Sequence, residues 1–211
     1  MRLFLGFLIS ILIISCQLGA SNKKSLDSKH SQTDVSDSSF TDRLMISGDF
    51  DGDGKIDTLT ESFISSINGK ETNKYADLEY DSLVTLTILK KPISRLISKS
   101  LKPLIINKNN FQLFGLAFLK NEGDIDNNGT DELGFVIDWA DWSIVNSYRI
   151  YTYKNNNWTE MLNFEIRDYD IYDLKKNKDS KGLLYRNSKG DLIANTYDLG
   201  NQIEKKIELK K

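Results

Sequence analysis

Only one cysteine, Cys16, occurs in the 211 residues, so no disulfide can form within the chain. Only one histidine occurs, and it is His30, in a polar stretch near the N-terminus. From residue 40 onward there is therefore no imidazole base, no Ser-His or Cys-His pair, and no His-ligated zinc. A non-catalytic role is the expectation; a carboxylate pair of the glycoside-hydrolase kind is the one arrangement that acidic residues alone leave open. Charge of one sign is lacking too: 28 basic residues stand against 30 acidic ones, a balance that does not suggest a nucleic-acid partner. Prolines number two, at positions 92 and 103, and β-branched residues are plentiful, which favours a mostly β domain. No apolar run reaches the roughly 20 residues that a membrane-spanning helix needs.

The longest apolar run, residues 3–14, follows Arg2 and is interrupted only by Gly6 and Ser10. A positive start and a short apolar stretch read as a secretory signal over residues 1–15. Ile13-Ile14-Ser15-Cys16 then resembles the bacterial lipobox. That resemblance implies a diacylglycerol on Cys16, cleavage before it, and acylation of the new amino terminus. The alternatives are a soluble secreted protein with an incidental cysteine, or an uncleaved anchor. Two or three acyl chains exceed what stable attachment to a bilayer requires. Gln17, rather than Asp, after the cysteine resembles Gram-negative cargo delivered to the outer membrane. Residues 17–39 are rich in Ser, Lys, Asp, Asn and Gln, with Leu18, Leu26 and Val35 as the only larger apolar groups. Such a stretch cannot bury enough surface to fold, and as a coil it spans roughly 25–30 Å. Residues 16–39 are thus expected to be lipidated cysteine and tether.

Residues 40–211 suffice for one domain with a real core. Removing residues 1–15 leaves a net charge of −3, which two Ca²⁺ ions would bring to +1. Strand signals recur along the domain: residues 43–47, 58–64, 83–89, 111–119, 133–137, 147–153, 158–166, 182–186, 192–197 and 202–209. Residues 154–157 predict a hairpin turn. Residues 65–81 read as a long loop, and residues 93–100, between the prolines, as a short helix. The run Asp168-Tyr169-Asp170-Ile171-Tyr172-Asp173 lacks a glycine and reads as a solvated strand end or loop.

Two acidic nonapeptides carry the chemistry. Residues 49–57 read Asp-Phe-Asp-Gly-Asp-Gly-Lys-Ile-Asp; residues 124–132 read Asp-Ile-Asp-Asn-Asn-Gly-Thr-Asp-Glu, at an offset of 75. Oxygen-bearing side chains fall at loop positions 1, 3, 5 and 9, with glycine at position 6. Alternate spacing converges the side chains, and the glycine permits the turn that brings the position 7 carbonyl alongside them. Asp, Asn and Gly also build ordinary turns, but a plain turn has no use for four mutually repelling carboxylates. The first loop offers Asp49, Asp51, Asp53 and Asp57. The second offers Asp124, Asp126, Asn128 and Glu132, while Asp131 at position 8 is read as pointing away. Two Ca²⁺ sites are expected, the first stronger because it carries more charge. Mg²⁺ suits such loops less well, since it demands octahedral geometry and releases its waters reluctantly.

Residues 48–59 resemble an FG-GAP or VCBS repeat, whose loop joins two blade strands and holds Ca²⁺. The resemblance implies side-chain ligation by Asp49, Asp51, Asp53 and Asp57, with the Lys55 carbonyl added. In residues 123–134 it implies Asp124, Asp126, Asn128 and Glu132, with the Thr130 carbonyl. The whole chain is similar to small VCBS-repeat lipoproteins of the Bacteroidetes type, in which the second loop runs into a Trp-Ala-Asp-Trp segment, here residues 139–142. A closed propeller needs about four to eight four-stranded blades, more than this length allows. The expected fold is all-β, mainly antiparallel: a small β-sandwich or partial propeller-like assembly of two such units. EF-hands are rejected because loop position 12 holds Thr60 and Phe135 instead of an acid.

The leading functional expectation is a calcium-stabilised adhesion or binding module for a protein or glycan, held on an outer membrane through Cys16. Trp139 and Trp142 are the candidate ligand platform, with Tyr148, Tyr151, Tyr153 and Trp158 read either as part of it or as core. The alternative is a structural or inhibitory envelope lipoprotein in which calcium only stabilises the fold.

Overall fold

The computed structural model describes residues 43–71, 80–107, 112–141, 143–176 and 182–209. The expected signal, Cys16, His30, the tether and Trp142 lie outside them. Among the described residues strand dominates, in three open antiparallel sheets with no closed barrel.

The first sheet comprises β1 (Met45–Gly48), β2 (Asp57–Ser65), β3 (Pro92–Ile97) and β4 (Leu104–Ile105), side by side in chain order. The second repeats the plan with β5 (Leu113–Gly123), β6 (Glu132–Trp139), β7 (Val145–Lys154) and β8 (Asn157–Arg167). Each is a four-stranded meander whose acidic loop joins its first two strands. The third sheet holds β9 (Leu184–Arg186), β10 (Leu192–Asp198) and β11 (Asn201–Lys206), with β10 in the middle.

The second sheet is the shared layer. Side chains alternate across a strand, and in β6 Leu133, Phe135 and Ile137 enter one core while Val136 enters another. The first core joins them to Leu59, Phe63 and Leu96 of the first sheet. The other joins Tyr148, Ile150, Phe164 and Ile166 to Leu184, Leu192 and Ala194 of the third. Being covered on both faces explains why β6 reads as an almost continuous apolar run rather than an alternating one.

Buried Glu61 lies among these apolar groups on β2. Its carboxylate accepts the Leu116 amide at 2.8 Å and the Leu44 amide at 3.3 Å, tying the first sheet to an irregularity in β5. Such a buried acid is tolerated because hydrogen bonds replace its lost water.

Three segments depart from expectation. Residues 83–89, read as a strand from their alternation, belong to the helix α1 (Tyr80–Lys90). Asp81 in its first turn and Lys90 in its last complement the helix dipole, and the Thr85 hydroxyl donates to the Asp81 carbonyl at 2.8 Å. Residues 93–100, read as a short helix, are not helical: β3 runs through Ile97 with alternating burial, and Pro92 occupies the strand start, where a missing amide does least harm. The run from Asp168 is not a loop but the helix α2 (Asp168–Lys176), with Ile171 buried and Leu174 half-buried one turn apart.

Candidate metal centre

The acidic nonapeptides share a backbone frame. In both, the position 1 carboxylate accepts the amide of the position 6 glycine: Gly54 to Asp49 at 2.9 Å and Gly129 to Asp124 at 3.0 Å. Both glycines sit at positive φ, 80° and 90°, where an L side chain is strained. Position 5 donates to position 3, Asp53 to Asp51 at 3.2 Å and Asn128 to Asp126 at 3.1 Å. Position 7 donates to position 5, Lys55 to Asp53 and Thr130 to Asn128, each at 2.8 Å. Local sequence spacing thus becomes one repeated loop geometry.

Asp49, Asp51 and Asp57 bring carboxylate oxygens within 4.8 Å of one another, and so do Asp124, Asp126 and Glu132. Each group is able to hold a metal ion. Asp53 stands apart from the first triad: the Lys55 ammonium lies 2.8 Å from its carboxylate and holds its pKa below the ordinary range. Asn128 stays at the second loop, accepting from both the amide and the hydroxyl of Thr130.

Position 9 shows that the donor set fits a cation. Asp57 and Glu132 are both buried, at 8% and 0% exposure. One oxygen of each is anchored, Asp57 Oδ1 by the Ser100 hydroxyl and Glu132 Oε2 by the Ile125 amide at 2.8 Å. The other oxygen of each, Asp57 Oδ2 and Glu132 Oε1, is buried without a hydrogen-bond partner. A lone buried acceptor is costly, and a bound cation would satisfy it. Burial pushes Glu132 from its ordinary 4.5 to about 7; Asp126 and Asp124 add to this, and the Ile125 amide and the nearby Thr152 hydroxyl oppose it. Thr152 lies close enough to act on Glu132 but makes no hydrogen bond of proper geometry, so its hydroxyl and Glu132 Oε1 are both left without one.

The two loops also touch. Asp131 donates its amide to the Asp49 carbonyl at 2.8 Å, and its carboxylate accepts the Asp49 amide at 3.0 Å. Asn121 braces the same carboxylate at 2.8 Å while donating to the Ser47 carbonyl at 3.0 Å. Reading Asp131 as turned away from its own triad is consistent with this, but its partner lies 82 residues earlier and no local pattern announces it. Asn121 and Ser100 carry no sequence signal at all.

Of the aromatic candidates among the described residues, Tyr153 alone borders the polar cleft beside the loops. Tyr148, Tyr153 and Trp158 are buried in the cores, the core alternative of the two, and Tyr151 packs against the first core half-buried. Trp139, at the end of β6, is half-buried against that core as well. The cleft, of about 450 Å³, is lined by Asp51, Ser100, Asn128, Thr130, Tyr153 and the 154–156 turn. Among the described residues no helix is long and apolar enough to cross a membrane. No family model, curated protein or solved structure matches this chain.

Proposed function

We propose that this chain is a calcium-stabilised binding module, lipid-anchored through Cys16 to an outer membrane. The observation that carries the metal reading is the pair of position 9 carboxylates, each anchored by one oxygen and buried with the other unpartnered. In the first loop Asp49, Asp51 and Asp57 would hold the ion, with Asp53 joining if it leaves Lys55. That pair is fully exposed, and exposed pairs hold weakly. Four acids against three make the first site the stronger. Asp124, Asp126, Asn128 and Glu132 would hold the second. The Lys55 and Thr130 carbonyls are the position 7 donors that the FG-GAP resemblance supplies. Calcium suits this set because all the donors are oxygens and most of them carry charge. A bound cation supplies positive charge to carboxylates that burial and mutual repulsion otherwise disfavour.

Calcium is proposed to stabilise a ligand-binding domain rather than to serve chemistry. The cleft beside the loops offers carboxamides, hydroxyls, one carboxylate and the Lys154 ammonium, suited to a polar protein or glycan surface. Full-length protein should melt at higher temperature with calcium than with chelator, and less so with magnesium. At 100-fold excess over Kd each site adds about 2.7 kcal/mol. Modules of this kind bind at roughly 10⁻⁴–10⁻³ M, so millimolar calcium is the range to test. Asp51→Ala should remove more of the gain than Asp126→Ala; equal losses would overturn the ranking.

The core placement of Tyr148, Tyr153 and Trp158 favours the second reading, a structural or inhibitory envelope lipoprotein. Protease treatment of intact cells separates the two, since a domain facing the periplasm is spared.

A further inference from the structure

We propose that the two acidic loops form one two-cation unit, coupled through Asp131, so that filling either loop strengthens binding at the other. The inference rests on the calcium reading and adds a linkage to it. Asp131 directly precedes Glu132, the position 9 ligand of the second loop. Its amide and carboxylate engage the carbonyl and amide of Asp49, the position 1 ligand of the first. One residue thus clamps both polar backbone groups of a ligand in the other loop.

There is little slack at this junction. A Cβ on Gly48 would come within 2.6 Å of the Asp131 carboxylate, and one on Gly52 within 3.0 Å of the Thr130 methyl. Thr130 is position 7 of the second loop, so the first loop also leans directly on a segment that contributes a ligand. Asn121 holds the Asp131 carboxylate in place from β5. The unpartnered buried oxygens, Asp57 Oδ2 and Glu132 Oε1, fall one in each loop and mark both as ligand-directed.

Coupling follows from shared ordering. A cation in the second loop fixes Glu132, hence Asp131, hence the backbone of Asp49; the first loop then has less freedom left to lose. The same path runs in reverse, because linkage between two binding equilibria is reciprocal. Charge opposes this in part, because two cations repel each other, and the Asp131 carboxylate lowers the cost of holding both. Asp131 belongs to neither triad, so its carboxylate remains between the loops to offset repulsion between two cations. Asp131 is therefore a positioning residue for both sites.

The Gly54 and Gly129 amides report the loops separately, since each donates to the position 1 carboxylate of its own loop. In calcium titrations of the full chain followed by NMR, both should move together, more steeply than a single-site curve. Glu132→Gln should displace the Gly54 midpoint to higher calcium, by a factor in the range of about 5–150. Asp51→Asn, an exposed change, should displace the Gly129 midpoint by the same factor. Asp131→Ala should abolish both displacements, while Asp131→Asn, which keeps the acceptor, should preserve part of them. Should Glu132→Gln fail to fold, Asp126→Asn serves in its place. A Gly54 midpoint that stays put when the second loop is disabled overturns the coupling but leaves the calcium sites standing. Coupling that survives Asp131→Ala overturns the assigned route, and amides that ignore calcium overturn both readings.

Discussion

Glu132 and Asp57 occupy the same loop position, yet they are anchored by different groups, a backbone amide and a hydroxyl. Glu132 is the more exacting case, because it is fully buried and its neighbours Asp124 and Asp126 are also acidic. Its pKa is raised in the folded state, so between about 4.5 and 7 the native chain binds more protons than the unfolded one. Stability of the chelated protein therefore falls as pH rises through that window, by about 3 kcal/mol when the full shift is counted. Glu132→Gln removes the charge while keeping the shape. In chelator above pH 7 the variant should melt higher than the parent; in millimolar calcium it should melt lower. Melting curves in the two buffers check this, and a variant less stable in both would contradict it. At this scale the triads were legible from spacing alone, except that Asp53 is tied to Lys55. Asp131 was legible only as unused by its own loop.

Each loop is also an element pinned to a core by its second residue. Phe50 is fully buried in the first core, with its ring centroid 6.0 Å from that of Trp158, and Ile125 is buried in the other. The acidic residues on either side therefore hang from fixed points. Phe50→Ala should cost about 3–5 kcal/mol in denaturant unfolding and weaken calcium binding at the first loop. Unchanged stability would show that the loop is not anchored there. The β7–β8 hairpin was readable because two adjacent asparagines suit a tight turn; Asn155 and Asn156 take φ of 53° and 57°. Residues 83–89 were not, because alternating Leu, Thr and β-branched groups imitate a strand. What decides their state is long-range: β3 pairs directly with β2, and this segment becomes the connection between them. Pro92 misled in the opposite sense, since a proline bounds a helix and begins a strand equally well.

Across the molecule, the 75-residue offset of the acidic loops corresponds to two four-stranded meanders, each with its loop between the first two strands. The third sheet was visible only as a terminal meander; that it covers the far face of the second sheet depends on contacts such as the Thr196 hydroxyl of β10 donating to the Glu165 carbonyl of β8 at 2.9 Å. Attachment belongs to this scale as well. Cys16→Ser should abolish labelling by radioactive palmitate and release the protein from the membrane fraction, whereas unchanged labelling would refute lipidation at that residue. The most direct test of the whole account is calorimetric titration of the full chain with calcium, paired with melting in chelator. The predicted result is two equivalents bound and a melting temperature that falls when calcium is removed. No heat of binding, with melting indifferent to the chelator, would contradict it.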